Sequence, residues 1–144
     1  MTLPYVSAYL VARPDEGAFT IDHPYVAEFY TPVLGPTCVA LLRWAAGHLT
    51  AGEAVEIDLA ELAVGLSVQP SLGRHAPLIR TLHRLCHFHV AAWNPEPDAE
   101  TDGRLLIVDH LPPVSTRQAA RWPAALITEH QHALARHRGL DRPA

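Results

Sequence analysis

Apolar and polar positions divide the chain into short segments of different period. Residues 5–12 and 18–22 are apolar stretches on either side of the turn-like Arg13-Pro14-Asp15-Glu16-Gly17. That pattern predicts a β-hairpin. His23-Pro24 opens a short helical segment, with the proline suited to a first helical turn; Pro32, Gly35 and Pro36 are expected to interrupt the chain again. Between residues 36 and 49, Cys38, Leu41, Leu42, Ala45 and Leu49 recur at steps of 3, 1, 3 and 4. This spacing places them on one face of an α-helix. Val55-Glu56-Ile57 alternates like a strand. Asp58 followed by Glu61 has the spacing of a capping box, and Leu59, Leu62, Ala63 and Leu66 supply a buried stripe behind it.

Residues 67–76 form a polar link containing Pro70 and Gly73, and Pro77 begins a third helix. On a helical wheel Leu78, Ile79, Leu82, Leu85 and Cys86 fall within roughly 120° of arc, with Arg80, His83, Arg84 and His87 opposite. Residues 90–93 and 104–109 are two strands around an acidic, proline-containing tip. Ser115 with Gln118 forms a second capping box, opening a helical region that runs to about residue 137 and is kinked or broken at Pro123. One contiguous core is expected from Leu41, Leu42, Leu62, Leu66, Leu78, Leu82, Leu85 and Ile107.

Composition narrows the class. The chain has 144 residues, 49% hydrophobic and 18% charged, enough for one globular domain with its own core. No apolar run reaches the ~18 residues of a membrane span, and the N-terminus has no basic residue before its apolar stretch. A cytoplasmic protein is expected, without membrane contact. Cys38 and Cys86 are expected as reduced core residues. All 11 basic residues are arginine, which with many alanines and prolines suggests a GC-rich, actinobacterial genome.

Charge is unevenly spread. Residues 1–72 hold two arginines against eight acids, and residues 73–144 hold nine arginines against seven acids. Residues 74–95 carry three arginines, four histidines and no acid, whereas residues 96–102 carry four acids and no base.

The order helix, strand, helix, link, helix, strand, tip, strand, helix is that of a winged helix-turn-helix domain. DLAELAVGL resembles the first helix of the helix-turn-helix, and PLIRTLHRLCHFHVA resembles the recognition helix entering the wing. FYTPVLGPTCVALL is similar to the start of winged-helix domains in DnaD/DnaB-type replication-initiation proteins. GRHAPLIRTLHRL and the LPP-x-x-x-R-Q element resemble uncharacterised actinobacterial winged-helix proteins. The resemblance implies an α+β, mostly helical chain. It divides into an N-terminal extension (1–33), a winged helix-turn-helix (34–110) and a C-terminal helical region (111–144).

The exposed face of the third helix is the principal candidate for chemistry. An α-helix fits the major groove, and arginine bonds guanine O6 and N7 bidentately. Arg80 and Arg84 are i, i+4 neighbours with His83 and His87 beside them, and Ser71 and Arg74 in the preceding link are expected to hold phosphates. The plain alternative is that these side chains only solvate a helix. The acidic wing residues Glu96, Asp98, Glu100 and Asp102 repel phosphate and suit a basic protein partner or a solubilising loop.

Other chemistry is poorly supported by the sequence. In HRLCHFH the wheel scatters His83, Cys86, His87 and His89, so no metal site and no cofactor is expected. No P-loop, nucleophile-elbow or zincin motif is present, and a non-enzymatic protein is expected. Leu126, Ile127 and Leu134 give the last helix an apolar side, expected to contact a second copy in a homodimer or to pack on its own domain. The two resulting functions are transcriptional regulation by DNA binding, and protein interaction or self-assembly without DNA.

Overall fold

The computed structural model describes residues 5–13, 18–71, 73–94 and 103–139. They form an α+β fold in which helices cover a mixed sheet. In chain order the elements are β1 (Tyr5–Val11), β2 (Phe19–Thr20), a π-helical segment (Val26–Tyr30), α1 (Thr31–Leu34) and α2 (Pro36–His48). Next come β3 (Val55–Asp58), α3 (Leu59–Gly65), α4 (Pro77–His87), β4 (Ala91–Asn94), β5 (Gly103–Val108), β6 (His110–Leu111) and α5 (Ala124–His137).

The first sequence expectation to fail is the N-terminal hairpin. Tyr5–Val11 and Phe19–Thr20 do not pair with each other. β1 lies inside a four-stranded sheet of order β3-β1-β5-β4, antiparallel to β3 and parallel to β5. β2 pairs instead with β6, Phe19 opposite Leu111. The reason is burial. Val6 and Ala8 alternate onto the core face of β1, and a two-stranded hairpin alone would leave that face in water. The tip at residues 14–17, like the acidic wing tip at residues 95–102, lies outside the described residues.

A second correction concerns Pro32. The helical run does not stop there, because the chain widens into a π turn over Val26–Tyr30 and Pro32 falls in the first turn of α1, where a missing N–H is tolerated. Thr31 Oγ1 donates to the Ala27 carbonyl at 2.5 Å within this turn. The break comes at Gly35, whose φ of +95° and ψ of 156° lie in a region essentially restricted to glycine. Pro36 then starts α2.

The succession α2, β3, α3, α4, β4, β5 follows the expected order. Asp58 caps α3 by accepting from the N–H groups of Ala60 and Glu61 at 2.9 and 3.3 Å. Ser115 and Gln118 form the full reciprocal box. The residues after it make turns, and α5 starts beyond Pro123.

The core joins the sheet to the helices. Leu41, Leu42, Leu62, Leu78, Leu82, Leu85 and Ile107 are buried in one cluster, with Leu66 half-buried against it. The N-terminal segment contributes too: Phe19, Ile21, Tyr25, Val26 and Phe29 belong to the same cluster. α5 closes over it. His130 is buried, its Nε2 2.6 Å from the Tyr25 hydroxyl, and Leu126 and Leu134 pack on the chain's own core.

Candidate nucleic-acid interface

α4 owes its form to a clean separation of faces. Pro77 stands at its first turn, where proline is favoured, and Thr81 Oγ1 returns a hydrogen bond to the Pro77 carbonyl at 2.8 Å. Leu78, Ile79, Thr81, Leu82 and Leu85 are buried, whereas Arg80, His83, Arg84 and His87 are exposed. In the link before the helix, Ser71 and Arg74 are exposed as well. The six residues expected to contact DNA therefore stand at the surface, on α4 and the link that leads into it.

They are not equally free. The Arg84 Nη2 donates to the Val33 carbonyl at 3.0 Å, and its guanidinium lies 5.7 Å from the centre of the Phe88 ring. The first contact ties α4 to α1. The second is within cation–π range. The His83 ring lies 5.3 Å from Trp93 of β4, and the His87 ring meets Phe88 edge-on at 5.3 Å. The Arg80 N–H donates to the Ala76 carbonyl at 3.0 Å, but its side chain makes no hydrogen bond or ion pair with the described residues. Among those residues neither α4 arginine is paired with a carboxylate.

Sequence reasoning missed the Val33 carbonyl and Trp93 as neighbours of this face. A backbone carbonyl has no sequence signature, and Trp93 is brought beside His83 only by the return of β4.

The cysteines do not present a nucleophile. Cys38 is buried, and burial pushes its thiol up to about 11, against a smaller opposing effect from Arg84. Burial raises the half-buried Cys86 as well. Among the described residues no group of three or more His, Cys, Asp or Glu side chains gathers as around a metal ion, and no helix is long and apolar enough to cross a membrane.

A second polar cluster sits under α5. Tyr25 Oη accepts the Val114 N–H at 2.8 Å and faces His130 Nε2. Desolvation pushes the Tyr25 hydroxyl up to about 12 and lowers the His130 pKa from 6.5. The Tyr30 hydroxyl donates to the Pro112 carbonyl. His130 sits among the rings of Phe29 and Trp122, and the hydrogen bonds of Tyr25 and Tyr30 pin the C-terminal region to the N-terminal one.

No protein-family model and no curated protein matches the chain. Among solved structures, the crystal structure of primosome protein DnaB (residues 1–300) from Geobacillus stearothermophilus is similar to it, with a TM-score of 0.47 and 13% sequence identity. The match covers 100% of this chain and 53% of that one, so the chain spans about half the length of that structure.

Proposed function

We propose that this protein is a non-enzymatic, winged helix-turn-helix DNA-binding protein acting in transcriptional regulation. In this reading α4 lies against the duplex. The observation that carries it is the face of α4: Arg80, His83, Arg84 and His87 are all exposed opposite a buried leucine stripe, and the helix contains no acid. Arg80, whose side chain is unpartnered among the described residues, can turn to a base edge or to a backbone phosphate. Arg84, held by Val33, acts as a preset phosphate donor. Arg74 and Ser71 extend the contact along the backbone. Leu126, Ile127 and Leu134 of α5 are half-buried, Leu126 and Leu134 against the chain's own core, and a homodimer would use the part of that side left open.

Binding to genomic fragments at two salt concentrations tests this, with wild type beside the Arg80→Ala/Arg84→Ala double variant. The double variant is expected to bind more weakly and with a flatter salt dependence. Equal, weak binding by both proteins in every condition refutes the proposal. That result favours the second reading, an interaction module without DNA, which the net charge of −4 supports.

A further inference from the structure

A cleft of about 440 Å³ opens between the α1–α2 junction and one stripe of α4. Its volume falls within the range of small-molecule sites, roughly 300–1,000 Å³. Thr37 and Cys38 line one side, and Arg80, Thr81 and Arg84 line the other. His83 and His87 are not part of its wall.

Its chemistry is cationic. Two arginines line one concave space, and neither has a carboxylate partner among the described residues. Arg84 is preset by its bond to Val33, which leaves its other N–H groups free of that carbonyl. Arginine's planar fork suits phosphate, and a fixed guanidinium loses little freedom on binding. The opposite wall adds donors. Pro36 has no N–H and Gly35 no side chain, so the first turn of α2 has no side-chain cap. The Thr37 hydroxyl has no hydrogen bond within the described residues.

We propose that this cleft binds a phosphate group, held by Arg80 and Arg84 and completed by Thr37 and the open first turn of α2. The phosphate comes either from a duplex backbone or from the phosphorylated end of a small molecule. The inference rests on the DNA-binding reading only in the first case.

Amide spectra of the ¹⁵N-labelled full chain test it, with inorganic pyrophosphate as the probe and sodium chloride of equal ionic strength as the control. Pyrophosphate is expected to shift Thr37, Cys38, Arg80 and Thr81 saturably. Arg80→Gln is expected to weaken that binding about tenfold, the loss of one charge-assisted contact. Arg43→Gln, an exposed α2 arginine outside the cleft, leaves it unchanged. Thr37→Val supplies a second cleft variant with the guanidiniums intact, expected to bind more weakly. Shifts that are scattered, fail to saturate, or persist equally in Arg80→Gln overturn the proposal. A short mixed-sequence duplex then separates the sources. A duplex that shifts the same amides and competes with pyrophosphate identifies the backbone. Saturable pyrophosphate binding without duplex binding supports the cleft and a small phosphorylated ligand, while the DNA-binding reading alone fails.

Discussion

The Tyr25 hydroxyl lies 2.6 Å from His130 Nε2, across 105 residues of sequence. Because the same oxygen accepts the Val114 N–H, its own proton is available to the ring nitrogen of a neutral imidazole. A protonated imidazole presents a donor there instead and displaces that arrangement, in a site where His130 is only 7% exposed.

This relationship sets a pH dependence. Burial lowers the folded His130 pKa below 6.5, so the unfolded chain binds the proton more readily. The stability contributed by the neutral form is full above about pH 6.5 and declines as pH falls toward the folded pKa. Urea midpoints measured between pH 7.5 and about pH 5 should therefore drop toward acid, and His130→Gln should flatten that part of the profile. An unchanged slope in His130→Gln contradicts the assignment.

Tyr25→Phe isolates the other half of the pair. Removing the hydroxyl leaves the Val114 N–H without its acceptor in a buried setting. The cost of such an orphan is about 1–3 kcal/mol. Chemical denaturation should show that loss at neutral pH, where the histidine is not charged.

The helices were largely legible because their apolar periodicity survives alone in the sequence: Leu41, Leu42 and Ala45, like Leu78, Leu82 and Leu85, face inward as their spacing requires. What the sequence concealed was partnership. Nothing local tells Tyr5–Val11 that its neighbours are Val55–Asp58 and Gly103–Val108, since strand pairing across long separations depends on the assembled core. Of the candidate interface, surface placement was legible from the wheel. The Arg84 bond to Val33 was not, because a carbonyl acceptor 51 residues away carries no side-chain signal.

The centre of the core offers a direct energetic check. Leu82 is 0% exposed among Leu78, Leu85 and their neighbours. Leu82→Ala should cost about 2–5 kcal/mol by lost burial and the cavity left behind. A midpoint shift corresponding to less than about 1 kcal/mol shows that the site is not packed as described.

Gly35 tests the junction between α1 and α2. A Cβ there meets nothing within 4 Å, so crowding is not the obstacle. The obstacle is φ +95° with ψ 156°. Gly35→Ala should destabilise by about 1–3 kcal/mol through backbone strain alone. An unaltered denaturation midpoint means that the junction relaxes without cost.

The two α4 arginines should separate stability from binding. The Arg80 side chain is exposed and free of partners among the described residues, so Arg80→Ala should leave the melting temperature within experimental error while reducing DNA affinity. Arg84 donates to Val33 and lies over Phe88, so Arg84→Ala should cost about 0.5–1.5 kcal/mol of stability in addition to affinity. Arg84→Lys retains the charge but loses the planar fork, and should recover only part of either quantity. Thermal melts and binding isotherms on the same three variants decide the matter. Equal melting temperatures for all three would mean that the Val33 contact adds nothing to the fold, whereas a melting temperature lowered by Arg84→Ala, lowered less by Arg84→Lys and unchanged by Arg80→Ala marks it as the clamp between α1 and α4.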